Sequence, residues 1–143
     1  MTYSDAYSIM RYMERSATIT LREKATEEPV LVTQGSVDHI GNSWNVRYHD
    51  GEAAYTIGIS EGIVSIVRDG EEDYTLILQE GKEHGFGIES PYGNIPLTVI
   101  PRIVRSKANA DGLSVRLSYE IASGGTSRRF RLYMDCRYND DAN

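Results

Sequence analysis

The sequence predicts an all-β domain, an antiparallel meander of about ten strands closing into a barrel. Three observations carry that prediction. First, Asp50-Gly51, Glu61-Gly62, Asp69-Gly70, Glu80-Gly81, Asp111-Gly112 and Gly124-Gly125 recur at intervals of one strand plus one turn. Glycine reaches positive φ without steric cost, so such pairs stand where antiparallel strands reverse. Second, the last third of the chain alternates with period two, the signature of half-buried strands. Third, parallel pairing needs crossovers of a dozen or more residues, and the connections here are too short to hold them. A meander with one apolar face becomes either two packed sheets or one sheet closed on itself. Closure removes the edges that invite aggregation, so a closed or nearly closed barrel is expected.

Taken in order, residues 1–15 differ from the rest: Tyr3, Tyr7, Met10 and Met13 fall at helical spacing. They read as an N-terminal extension, either a short helix over one barrel mouth or a disordered tail. The barrel itself is expected over 16–138. Strands are predicted near 17–25, 30–39, 44–49, 53–60, 63–68, 74–80, 84–89 and 95–105. Trp44, Val46 and Tyr48 share a strand face, as do Tyr55, Ile57 and Ile59, then Tyr74, Leu76 and Leu78, then His84, Phe86 and Ile88. The final pair is the clearest. Leu113, Val115, Leu117, Tyr119 and Ile121 oppose Ser114, Arg116, Ser118 and Glu120; beyond Ser123-Gly124-Gly125-Thr126, Phe130, Leu132, Met134, Cys136 and Tyr138 oppose Arg129, Arg131, Tyr133, Asp135 and Arg137. Residues 139–143 are expected to fray.

Composition narrows the classes further. A chain of 143 residues suits one domain of about 100–200 residues. The lone Cys136 excludes an internal disulfide and a cysteine-based metal cluster. Charges at Asp5, Arg11, Glu14, Arg15 and Glu23 interrupt any leader-like apolar run, and no stretch approaches the roughly 18 apolar residues of a membrane helix. A soluble, cytoplasmic protein without membrane attachment is expected. No Gly-x-Ser-x-Gly elbow, His-Glu-x-x-His pair, Gly-x-x-x-x-Gly-Lys loop or dinucleotide fingerprint is present. Gly85-Phe86-Gly87 lies inside a predicted strand, where glycine marks a bulge or a place at which a neighbour crosses the backbone.

The run Ile59-Ser60-Glu61-Gly62-Ile63-Val64-Ser65-Ile66-Val67-Arg68-Asp69-Gly70, the segment Glu89-Ser90-Pro91-Tyr92-Gly93-Asn94-Ile95 and the paired strands 113–121 and 129–138 resemble the YwiB-like family of uncharacterised bacterial proteins. The resemblance spans about Thr18 to Tyr138 and rests on pattern and turn placement. It implies a lipocalin-like, or calycin-like, β-barrel in a small cytoplasmic bacterial protein. It carries no catalytic or binding residues across, and the N-terminal extension lies outside it.

Candidate sites follow from the residues. Ten Tyr and one Trp against two Phe mean that the large rings mostly carry a polar handle needing a partner when buried. If Trp44, Tyr48, Tyr55, Tyr74, His84 and Tyr119 face inward, they either fill the core or line room for a small, partly apolar ligand. His39, His49 and His84 share no local spacing, and no metal is expected. The Glu89–Asn94 segment reads as a tight turn around Pro91.

Charge is uneven. Residues 1–95 hold 7 Lys+Arg and 16 Asp+Glu, whereas 96–138 hold 8 and 3. Arg116, Arg129, Arg131 and Arg137 are expected on one outer face, with Arg102, Arg105 and Lys107 nearby. This is a candidate surface for a protein or nucleic-acid partner, opposed by cross-strand pairing available to Glu120 and Asp135. A pI near 5.0 argues against a dedicated nucleic-acid binder. Neither a cofactor nor an oligomeric state can be named from these residues, and catalysis is not expected.

Overall fold

A computed structural model describes residues 12–24 and 28–139. The architecture is the expected calycin-like one: ten antiparallel strands in a nearly closed barrel, with no helix among the described residues. They are β1 (Tyr12–Arg22), β2 (Leu31–Ile40), β3 (Ser43–Asp50), β4 (Ala53–Ser60), β5 (Ile63–Asp69), β6 (Tyr74–Gln79), β7 (His84–Ser90), β8 (Gly93–Asn109), β9 (Gly112–Ser123) and β10 (Thr126–Tyr138). The glycine steps do reverse the chain. At one of them Glu61 and Gly62 both take positive φ, 25° and 81°, the backbone twist that matches flanking strands in a tight hairpin.

The hydrogen-bonded order is β6-β5-β4-β3-β2-β1-β10-β9-β8-β7. The first strand thus pairs with the last, Ala17 opposite Tyr138 through Arg22 opposite Tyr133. The break in the cylinder falls between β6 and β7. At one end of this seam Asp73 and Glu89 exchange two backbone hydrogen bonds of 2.9 Å. Near the other end the Glu80 carboxylate accepts from the Val104 N–H at 2.9 Å and from Arg105 Nη1 at 2.8 Å, tying the β6–β7 turn to β8. Between these clasps β6 and β7 share no ladder.

Period-two alternation directs the core. Ile19, Val37, Val46, Ile57, Leu76, Leu117 and Met134 are fully buried and fill the middle of the barrel. Each such side chain contributes roughly 1.5–3 kcal/mol relative to exposure. Of the two alternatives for the interior, the middle layer is the packed one, and the grooves described below lie toward the ends and on the outer wall.

The boundaries differ from expectation at both termini. Residues 12–15, read with the extension, belong to β1, with Arg15 opposite Val37; Tyr3, Tyr7 and Met10 lie outside the described residues. Asn139 is tied down rather than frayed. Thr18 Oγ1 donates to Asn139 Oδ1 (2.9 Å), Asn139 Nδ2 to Gln34 Oε1 (2.8 Å) and Gln34 Nε2 back to Thr18 Oγ1 (2.9 Å). Residues 140–143 lie outside the described residues.

One outer-face pair also supports the fold. The Asp38 side chain is only 6% exposed and bonds to Arg47, which is 49% exposed; Asp38 Oδ1 has no partner. Arg47→Met leaves a buried carboxylate uncompensated. The expected loss is about 2 kcal/mol, below the 3–5 of a wholly buried pair because Arg47 is half in water. Urea unfolding of Arg47→Met beside the Asp38→Asn, Arg47→Met double variant checks this: the double variant should recover part of the loss.

Candidate functional site

A row of polar-tipped side chains crosses four strands at one end of the barrel. Tyr48 stands directly opposite Tyr55, Tyr55 opposite Arg68, and Arg68 opposite Tyr74. Their strands bring them there because each lies near the turn at residues 51–52 or 70–73, on the parity that faces inward. The Tyr48 and Tyr55 rings stack at 5.2 Å with planes 7° apart. Arg68 Nε donates to the Tyr55 hydroxyl at 3.0 Å, and Arg68 Nη1 donates to the Glu72 carbonyl. Tyr74 meets Phe86 across the seam, edge to face at 6.4 Å. From the far wall Tyr119 faces the same group, its ring stacked on Phe130 at 5.6 Å.

Burial raises the Tyr48 and Tyr74 phenols above the ordinary range and pushes Tyr119 up to about 12; the neighbouring phenol of Tyr55 adds to each. The hydrogen bond that Arg68 donates to Tyr55 favours the charged form of Arg68. The inward row therefore sets one permanent cation, Arg68, among phenols, while Asp69, Asp73 and Glu89 bring carboxylates to the same end. Such a set can hold an anionic or carbonyl-bearing group by hydrogen bonds, while ring faces meet an apolar part.

Beside this row a groove of about 540 Å³ follows the seam. Arg68, Asp73, Tyr74 and Thr75 form one wall and Gly85, Phe86, Gly87, Glu89 and Asn94 the other. A Cβ on Gly87 would come within 2.5 Å of Asn94 Oδ1, so glycine lets the Asn94 side chain cross the strand, one of the two roles expected of glycine in the Gly85-Phe86-Gly87 pattern. Gly85 is open, with nothing nearer such a Cβ than the Leu97 carbonyl at 3.9 Å. The Glu89–Asn94 segment is the expected turn, with the Tyr92 N–H donating to Ser90 Oγ at 3.1 Å.

Of the six inward candidates, Tyr48, Tyr55, Tyr74 and Tyr119 gather at this end of the barrel, and of these Tyr74 lines the groove. Trp44 does not join them. It shares the Tyr48 face, but four residues along a strand is about 13 Å, and it stacks on His39 at 4.4 Å beside a separate cavity of about 300 Å³. His84 also lies away from the groove, opposite Val99, and its Nε2 is buried without a hydrogen-bond partner. His49 is exposed. Among the described residues no group of three or more His, Cys, Asp or Glu side chains could hold a metal ion. Sequence reasoning missed Arg68, although it sits on the inward parity of Val64 and Ile66 in the same strand.

On the outer wall, Arg116, Arg129 and Arg131 line one cleft together with Arg102. Arg137 stands apart, because six residues of strand separate it from Arg131 by roughly 20 Å; it bonds to Asp135 at 3.3 Å. The anticipated pairing to Glu120 is present, from Arg102 at 2.8 Å and Arg129 at 3.4 Å.

Comparison with known proteins adds the following. The family model described as Domain of unknown function (DUF1934) matches residues 14–132. The crystal structure of ywiB protein from Bacillus subtilis superposes with a TM-score of 0.68 at 15% identity, covering 91% of this chain and 93% of that one; a likeness of this kind shows the fold. No curated protein matches the chain. No helix among the described residues is long and apolar enough to cross a membrane.

Proposed function

We propose, from the premise that this chain belongs to the family described as Domain of unknown function (DUF1934), that it is a small-molecule binding protein. Its ligand enters by the β6–β7 seam. The observation that carries this reading is the row Tyr48-Tyr55-Arg68-Tyr74, whose Arg68 and Tyr74 end lines a groove of about 540 Å³, within the roughly 300–1,000 Å³ of ordinary ligand sites. Arg68 and the Tyr74 hydroxyl take the polar or anionic head, with Tyr55 holding Arg68 in place, and Phe86 with the Tyr74 ring takes the apolar part. The interior of the barrel supports the site from below rather than enclosing the ligand. Fold alone does not assign an activity; the reading rests on the chemistry of this end.

The test uses 1-anilinonaphthalene-8-sulfonate, an aromatic anion whose fluorescence rises in apolar surroundings. It should bind saturably to the intact protein. Arg68→Met, which removes the cation, and Gly85→Phe, which fills the open stretch of the groove, should each weaken binding at least about tenfold. Trp44→Phe at the opposite end should not. Binding that ignores both groove variants but falls with Trp44→Phe would move the site to the other mouth and overturn the reading.

A further inference from the structure

The outer wall of β8, β9 and β10 carries a second, chemically distinct feature. Cross-strand pairing places Arg105, Arg116 and Tyr133 in one row and Ser118 beside Arg131 in the next, with Glu120 opposite Arg129 beyond. Ser118 sits at the centre. Although its position faces outward, it is 9% exposed, so it forms the floor of a depression whose rim is made of long cationic side chains. The cleft measures about 410 Å³.

Two details show that this is more than a solvated charged face. The ladder between β8 and β9 shifts register between Pro101 and Ile103, which makes Arg102 the extra residue of a β-bulge. Bulges re-aim side chains, and here the side chain re-aimed is a further cation brought to the rim. Carboxylates are also too few. Glu120, 18% exposed, serves both Arg102 and Arg129, and those guanidiniums hold it below the usual carboxylate range. Among the described residues Arg116 meets the face of Tyr133, at 5.5 Å, and no carboxylate, and Arg131 meets no carboxylate either. Four guanidiniums thus converge on one acid and a serine floor.

We propose that this cleft binds a linear di- or triphosphate, free or as the phosphate chain of a nucleotide. Planar guanidiniums on neighbouring strands match phosphate oxygens in pairs. A compact polyanion is favoured over an extended one because residues 1–95 carry 7 Lys+Arg against 16 Asp+Glu. A nucleic acid running past the cleft would meet that acidic part of the molecule. The site is independent of the seam groove, so either can fail without the other.

Isothermal titration of the full chain with inorganic tripolyphosphate and, separately, with ATP tests the proposal. Tripolyphosphate should bind one to one, and more weakly as salt rises. ATP binding at least about tenfold tighter would assign the nucleotide; equal affinities would assign the bare phosphate chain. Arg131→Gln and Arg116→Gln should each weaken binding about tenfold or more, whereas Arg137→Gln, the same charge change farther along β10, should change it less than about twofold. Far-UV circular dichroism checks that each variant is folded. No binding of either probe, equal loss in all three variants, or tighter binding of a single-stranded RNA than of tripolyphosphate would overturn the proposal.

Discussion

Gly35→Val is expected to destabilise the protein by more than about 3 kcal/mol, a large share of the 5–15 kcal/mol that holds a domain together. Gly35 faces inward from β2, opposite the fully buried Ala17. A Cβ added there would lie 2.2 Å from the Arg47 carbonyl oxygen, 2.4 Å from Ile19 Cδ1 and 3.2 Å from Tyr48 Cβ. The first contact is backbone, which cannot swing aside as a side-chain tip can. The β2–β3 ladder runs from Ile40 opposite Ser43 to Ser36 opposite Arg47 and stops there. Gly35 thus marks the corner at which β2 leaves β3, the place in a barrel where glycine admits a close backbone approach. Urea unfolding should show the midpoint falling with little change in slope. Gly41→Ala is the informative contrast. Gly41 has φ of 59°, and nothing lies within 4 Å of the point where an alanine methyl would stand, so only conformational strain of about 1–2 kcal/mol applies. A Gly35→Val variant as stable as Gly41→Ala would mean that the corner can relax, and the close approach would not be structural.

Much of this architecture was legible because period two separates inside from outside residue by residue. The parity of Trp44, Val46 and Tyr48, and of Leu113 to Ile121, was enough to place every one of those side chains on its wall. Parity does not report distance along a strand. That is why Trp44 and Tyr48, read as one site, stand at opposite ends, and why Arg137 parts from Arg131. The seam was hidden for another reason. Glu80-Gly81 resembles the other turn pairs, yet the Glu80 carboxylate turns away to the Val104 N–H and Arg105, and no local feature says that the β6–β7 ladder fails to form. Pro101 was a usable clue to the bulge, since proline has no N–H to give to a ladder and gathers at such irregularities. Arg68 was legible too: a cation on the same parity as Val64 and Ile66 must either fray outward or find partners inside, and Tyr55 supplies one.

The same buried phenols predict a steep alkaline limit. Burial raises Tyr48 above the ordinary tyrosine range, Tyr119 to about 12 and the Cys136 thiol to about 12. All three are neutral in the barrel and would become anions if titrated. In the unfolded chain a tyrosine loses its proton near 10 and a cysteine near 8.5. Above those values the unfolded state binds fewer protons than the folded one, so stability falls as pH rises. Below them both states are protonated and the groups impose no slope. Each group removes about 1.4 kcal/mol per pH unit between its unfolded and folded values, so the three together remove roughly 4 kcal/mol per unit above pH 10. Tyr74, which burial also raises, adds a fourth such group. Cooperative unfolding is therefore expected within about 1.5 units above pH 10. Far-UV circular dichroism and the late part of the tyrosinate absorbance, that of the buried phenols, should move together, because those phenols ionise only as the barrel opens. Tyr48→Phe removes one of the four groups and should flatten the slope by about a quarter. Full ionisation of all ten tyrosines with the β-sheet signal intact would show that water already reaches this end of the barrel, and that the row from Tyr48 to Tyr74 is not held in an apolar setting.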